Sequence, residues 1–151
     1  MNRTEACELT NMCMVCDGER VLVQDRLDPN WSGIVFPGGH VEKNESFVES
    51  VVREVKEETG LDVREVKLCG MRQWTDEAKG FRYIVLLFKT NRFSGELKSS
   101  DEGKVFWIDK KDIVKYALAD GFEEVLEMFE NDALSENYWW MENGEWKYKN
   151  L

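Results

Sequence analysis

Between Gly39 and Leu61 runs the segment GHVEKNESFVESVVREVKEETGL, in which Arg53, Glu54, Glu57 and Glu58 fall within one short stretch. If that stretch is helical, a step of about 100° per residue sets the three glutamates within an arc of about 100°, beside an apolar set of Phe47, Val48, Val51, Val52 and Val55. Like charges at i, i+3 and i+4 repel by about a few tenths of a kcal/mol per pair, so a helix shaped for stability alone mixes its signs. Three carboxylates facing one way offer instead a site for a hard cation that prefers oxygen ligands. The bland alternative is a solvated acidic face. Two other groups could do chemistry. His40, the only histidine, adjoins the glycines that open the segment, which suits an exposed group near substrate better than a proton carrier. Cys13 and Cys16 form a C-x-x-C, but on a strand an odd separation sends them to opposite faces, and no histidine or second cysteine pair completes a metal site.

The elements that must position these groups can be read from pattern. MCMVCD and RVLVQDRL flank Asp17-Gly18, the form of a hairpin. LDPNWSG, Leu27 to Gly33, is a loop, followed by a short IVF run and Pro37-Gly38-Gly39. From Glu45 the apolar period becomes helical, with Glu45 and Ser46 in the first turn and Gly60 as the C-terminal stop. Strands are predicted around Val66 to Thr75, Phe81 to Thr90 and Lys104 to Ile108, the last after the acidic loop SGELKSSDEG. Lys110 to Phe129 is helical in pattern but interrupted at Asp120-Gly121, which predicts two pieces. In YWWMENGEWKYK, Asn143-Gly144 separates two aromatic-rich runs, the signature of a type I′ hairpin. Its Trp139-Trp140 pair and Trp146 suit cross-strand packing; a base-stacking or dimer surface is the alternative, which leaves a homodimer open. Strands in this order with intervening helices predict one α+β or α/β domain over residues 1–151, a mixed sheet with helices packed on it.

Composition narrows the function. With 20 Lys+Arg against 30 Asp+Glu, the chain carries a formal charge of −10, and its basic residues are scattered among acids, which disfavours polymeric nucleic acid. A small phosphorylated substrate is compatible if a divalent cation stands between phosphates and carboxylates. The longest apolar runs are far shorter than the roughly 18 residues a membrane span needs, and no export signal is seen at the N-terminus. Four irregularly spaced cysteines suit reduced thiols and a cytoplasmic location.

Gly39, five residues, Glu45, seven residues, Arg53-Glu54, Val55, one residue, Glu57-Glu58, one residue, Gly60 and Leu61 match the Nudix box without a mismatch. Seven fixed identities at that spacing arise by chance on the order of 10⁻⁸ or less per start position. The chain therefore resembles a Nudix hydrolase. The resemblance implies an α/β/α sandwich with the box as loop, helix and loop, and hydrolysis of a nucleoside diphosphate linked to another moiety. It implies Glu54, Glu57 and Glu58 as metal ligands or base, with Glu54 favoured as the base, and the carbonyl of Gly38 as a further ligand. It also implies that Arg53 orients a box carboxylate and that Glu45 supports Arg53. An all-oxygen site of this kind suits Mg²⁺, or Mn²⁺, rather than zinc. Glu102, five residues before Trp107, matches a loop position where relatives acting on triphosphates often supply another metal-site carboxylate.

Among subfamilies, relatives specific for ADP-ribose tend to carry a proline some 15 or 16 residues past the box, and those for diadenosine polyphosphates a tyrosine slightly further on; here that region reads TDEAKG. The PGGH, WSG and SSDEG stretches resemble bacterial MutT-type members related to 8-oxo-dGTP diphosphatases. That likeness implies substrate contacts at Arg26, Gly39 and, as a purine-reading acid, Asp120. The expected reaction is Mg²⁺-dependent hydrolysis of a nucleoside triphosphate, with an oxidised purine as one candidate, to monophosphate and pyrophosphate. Alternatives are a nucleotide sugar, a dinucleotide or an RNA 5′ end as substrate, or a nucleotide-binding module without turnover.

Overall fold

In the computed structural model, which describes residues 1–151, ten strands and two α-helices follow one another as β1 (Cys7–Asp17), β2 (Arg20–Arg26), β3 (Gly33–Val35), α1 (Phe47–Thr59), β4 (Asp62–Arg64), β5 (Lys67–Asp76), β6 (Phe81–Thr90), β7 (Arg92–Ser94), β8 (Gly103–Asp109), α2 (Phe122–Glu130), β9 (Glu136–Glu142) and β10 (Glu145–Asn150). The Asp17-Gly18 hairpin forms, with Asp17 opposite Arg20 and Gly18 at φ 59°, a left-handed conformation that glycine adopts without strain. Only the hairpin end of β1 pairs with β2. The rest of β1 diverges and runs parallel to β6, while β2 continues antiparallel to β3 and β8. The resulting mixed sheet has the order β10-β9-β5-β6-β1-β2-β3, with β8 on the other side of β2.

The edge of β1 that β2 leaves free is filled by the loop before α1. Asn11 and Cys13 donate backbone N–H bonds to the carbonyls of Gly39 and Pro37, each at 2.8 Å, and Val41 donates to Leu9 at 2.9 Å. That strap lies so close that a Cβ on Gly38 would stand 2.1 Å from the Asn11 carbonyl oxygen. The Pro-Gly-Gly run is therefore a packing requirement of the strap.

The two sheet faces carry separate cores. Met12, Met14, Val21 and Val23 face Phe122, Val125 and Phe129 of α2, whereas Cys13, Val15, Leu22 and Leu86 face Val51 and Val55 of α1. Period-two strands between two amphipathic helices make the expected three-layer sandwich. Cys13 lies in the α1 core and Cys16 packs against the α2 core, on opposite faces as predicted, and all four cysteines are unpaired. No helix is long and apolar enough to cross a membrane.

Several boundaries differ from expectation for local reasons. The helix of the box begins at Phe47, not Glu45: Ser46 is extended (φ −72°, ψ 151°) and caps the helix by accepting the Glu49 N–H at 3.1 Å. Glu45 thus stays outside the helix. β1 starts at Cys7 because pairing to β6 extends it beyond the apolar run. The first of the two helical pieces, Lys110–Lys115, is a 3₁₀ turn. The short pair β4 and β7, held by Val63 opposite Phe93, was not anticipated, since three residues show no period.

Candidate functional site

Arg53 is the hub of the box. Its Nε and Nη2 grip Glu45 at 2.7 and 2.9 Å, Nη2 also donates to the His40 carbonyl at 3.0 Å, and Nη1 reaches Glu54 at 2.8 Å and Glu57 at 3.3 Å. A planar fork satisfied on every side holds the strap, the start of α1 and two of its glutamates in one arrangement. The Arg53 guanidinium holds the Glu45 carboxyl down at about 2.

The three box glutamates share a side of α1 but not an environment. Glu57 is exposed, its side chain 59% accessible, whereas that of Glu54 is 12% accessible and the whole Glu58 residue only 2%. Glu54 lies against Gly39, where a Cβ would come within 2.4 Å of its carboxylate. Burial raises the pKa of Glu54, opposed by its bond to Arg53. Burial pushes Glu58 up to about 9, with Glu102 adding to the shift and the Gly38 N–H, which donates to Oε2 at 3.0 Å, opposing it. The other oxygen, Oε1, is buried without a partner. A buried carboxyl with an orphaned oxygen, beside a second half-buried carboxylate and an acidic loop, is a cost that positive charge would relieve. An all-oxygen donor set of this kind fits a hard divalent cation. In the structure no three acidic, histidine or cysteine side chains converge closely enough to form a finished ligand cage.

Beside this acidic corner opens a cleft of about 1170 Å³ that reaches from Gly38, Gly39, Glu54 and Glu102 to Arg26, Trp31, Arg72, Trp74, Tyr83, Asp120, Trp139 and Trp146. Every predicted site residue except Glu57 and Glu58 of the glutamates, and Arg53, lines it directly. Arg26 leans over the Trp31 ring, 5.1 Å from its centre, donates Nε to the Trp31 carbonyl at 3.3 Å, and approaches Asp28 at 3.5 Å. Trp31 is anchored by its Nε1, which donates to the Asp120 carbonyl at 2.9 Å. His40 also lines the cleft, its Nε2 2.6 Å from Glu8 Oε1. The terminal hairpin contributes Trp139, which stacks on its cross-strand partner Tyr148 (centroids 4.9 Å apart) while its indole also borders the cleft; Trp140 stacks on Tyr138 at 5.6 Å and does not line the cleft.

Arg72, Trp74 and Trp31 line the cleft although the sequence does not single them out. The first two alternate on β5 and so share a face, but nothing local shows that this face lines the cleft. The only signal in the sequence is a charged residue, Arg72, inside a predicted strand.

The chain is similar to known proteins at each level of comparison. The profile of the NUDIX domain matches residues 9–129. An ADP-ribose pyrophosphatase of Methanocaldococcus jannaschii is 35% identical over 88 residues, 58% of this chain and only 52% of that protein. The Nudix hydrolase YvcI of Bacillus subtilis is 31% identical over 121 residues, 76% of this chain and 74% of its own. The crystal structure of a MutT protein from Bacillus halodurans superposes with a TM-score of 0.77 at 28% identity, covering 95% of this chain and 97% of that one.

Proposed function

Since this chain belongs to the Nudix family, whose members are pyrophosphatases acting on acid anhydrides, we propose that it hydrolyses a nucleoside triphosphate to the monophosphate and pyrophosphate. An oxidised purine such as 8-oxo-dGTP is one candidate for the base. The observation that carries the proposal is the placement of Glu54, and of buried Glu58 with one oxygen left without a partner, at the acidic end of a cleft whose far end is walled by aromatic rings. The acidic end takes the phosphate chain and the aromatic end takes the base.

In this reading Glu54, Glu57, Glu58, Glu102 and the Gly38 carbonyl hold Mg²⁺, or Mn²⁺. When bound, the cation neutralises phosphate charge and stabilises the departing oxygen. Arg53 fixes the glutamates in place through its bonds to Glu45, Glu54 and Glu57. Glu54 accepts a proton from the attacking water, a task suited to a carboxylate whose affinity for protons burial has raised. Gly39 leaves room beside it for the phosphate chain, Arg26 meets phosphate oxygen, and Asp120 faces the base. Attack falls on the inner β-phosphorus, so that oxygen from water ends in pyrophosphate. A second reading, cleavage of an ADP-ribose-like diphosphate, is favoured by the 35% identity to the archaeal ADP-ribose pyrophosphatase. Neither reading involves polymeric nucleic acid or a membrane.

Incubating the protein and Mg²⁺ with nucleoside triphosphates and with ADP-ribose in ¹⁸O-labelled water, followed by mass analysis, separates these outcomes. Labelled pyrophosphate appearing in step with monophosphate is expected. Orthophosphate as the primary product from every triphosphate, or turnover of ADP-ribose alone, overturns the first reading.

A further inference from the structure

Gln24 on β2 has no accessible surface, and neither its Nε2 nor its Oε1 meets a partner. An amide in that state has lost its hydration and gained no hydrogen bond in return. A hydrocarbon of the same length would fill the place without that penalty. The backbone of β2 does not depend on the side chain, since the strand is paired on both edges, with Gln24 opposite Val35 of β3 and Val105 of β8.

Residues two apart on a strand share a face. Leu22, two before Gln24, and Val105, opposite it, lie in the core under α1, whereas Arg26, two after it, lines the cleft. Gln24 therefore stands where that core meets the acidic end of the cleft. Both neighbouring strands lead from it to Glu58. The chain runs on from Val35 to Gly38, whose N–H donates to Glu58 Oε2 at 3.0 Å, and back from Val105 to Glu102, which faces the Glu58 carboxyl. Glu102 is tied to the end of β2 as well, its carbonyl accepting the Leu27 N–H at 3.1 Å. On this side of the sheet, under α1, Glu58 Oε1 is also buried without a partner. A donor and an acceptor, each unsatisfied, thus stand at one end of one core.

We propose that Gln24 is a positioning residue of the cation site, its Nε2 donating to Glu58 Oε1 and its Oε1 accepting from water held on the cation when the site is filled. This rests on the reading of the box glutamates as metal ligands given above. Groups behind a metal ligand fix its orientation, and their loss weakens binding although they do not touch the ion. A strand paired on both edges suits the task, because it cannot follow the side chain. The metal-free protein bears the penalty of an amide that only the filled site uses. Removing that amide therefore acts in opposite directions, strengthening the metal-free fold and weakening the hold on the cation. A residue that served packing alone would not separate the two.

Gln24→Met keeps the length of the side chain and removes both polar atoms, and its effects can be read without turnover. In EDTA its Tm is expected to rise, by about 2 °C or more. Calorimetry with Mn²⁺ alone is expected to give a dissociation constant about 10- to 100-fold above that of the wild type. If the methionine variant does not fold, Gln24→Leu decides. A Tm in EDTA at or below the wild-type value, or failure of both variants to fold, would overturn the assignment by showing that the amide already supports the metal-free fold. Unchanged Mn²⁺ affinity in a folded variant, beside measurable binding by the wild type, would sink this inference alone. A wild type that binds no Mn²⁺ would sink the metal-site reading and this inference with it. Weakened Mn²⁺ binding in the variant, with no triphosphate or ADP-ribose hydrolysed by the wild type, would sink the pyrophosphohydrolase reading and leave this one standing.

Discussion

Glu58 gives the metal-free protein a pH dependence whose sign follows from its burial. An unfolded glutamate releases its proton near 4.5, whereas folded Glu58 keeps it up to about 9. Between pH 5 and 8 the unfolded state therefore binds fewer protons, and raising the pH favours unfolding. Glu54, also raised, acts in the same direction. Glu45, held at about 2, acts in the opposite direction but is already ionised in both states above pH 5. Melting in EDTA should show Tm falling from pH 5 to pH 8. Glu58→Gln should flatten much of that fall, and a variant that melts with the wild-type slope would show that the proton is held elsewhere. The exposed partner behaves differently. Glu57→Gln relieves a like-charge contact with Glu54 and weakens one exposed bond from Arg53, so the fold should stay intact, yet kcat should fall by about two orders of magnitude or more, because the change removes one charge from the proposed cation site. Glu102→Ala, on a loop where water can replace a carboxylate in the Mg²⁺ shell, should cost less than any box substitution and shift the Mg²⁺ dependence. Full turnover by folded Glu57→Gln at saturating Mg²⁺ would remove Glu57 from the site; unchanged kinetics of Glu102→Ala at every Mg²⁺ concentration would return Glu102 to an ordinary loop acid.

At the scale of elements, α1 works as a rigid rack because both ends are closed. Ser46 and Glu49 form a reciprocal cap, the Glu49 N–H donating to Ser46 Oγ at 3.1 Å and that hydroxyl to Glu49 Oε2 at 2.7 Å. Gly60 ends the helix at φ 77°, returning its N–H to Lys56 at 2.9 Å. Ser46→Ala should cost about 0.5–2 kcal/mol, measurable by urea unfolding, and lower activity only slightly at temperatures where the protein stays folded. The strap on β1 is less forgiving. Gly38→Ala has no space beside the Asn11 carbonyl and must push the strap outward, moving the Gly38 N–H away from Glu58 and the Gly39 backbone away from Glu54. Loss of activity larger than loss of stability is expected there, by comparing kcat/KM with the unfolding midpoint. Equal losses would mean that the strap only supports the fold.

On the scale of the whole molecule, the cleft depends on a terminal hairpin docked from the far end of the chain. Asn137 is fully buried: its Nδ2 donates to Asn150 Oδ1 at 2.7 Å and to the Glu124 carbonyl at 3.4 Å, and its Oδ1 accepts from Trp139 Nε1 at 2.6 Å. One amide thus ties α2, β9 and β10 to the indole that borders Arg72. Asn137→Ala leaves the partners of that amide unsatisfied and should destabilise the protein by about 1–3 kcal/mol. It should also change nucleotide affinity, although Asn137 does not line the cleft. Nucleotide affinity unchanged in a measurably destabilised Asn137→Ala protein would uncouple the hairpin from the site.

The chemistry of the acidic corner was legible in the sequence because it is encoded locally. Fixed spacing on a helix decides which side chains share a face, so Glu54, Glu57, Glu58 and their arginine could be placed together from numbers alone, as could the Asp17-Gly18 and Asn143-Gly144 hairpins. Local spacing could not show that Glu58 is buried and Glu57 exposed, since that depends on the strap the helix packs against. Nor could it show that β1 leaves β2 to run parallel with β6, because pairing between distant strands is settled by which faces bury each other. The aromatic half of the cleft lay furthest from reach. Trp31, Arg72, Asp120 and Trp139 come from four separate segments, and only the docking of the terminal hairpin and the short α2 against the sheet brings them into one space.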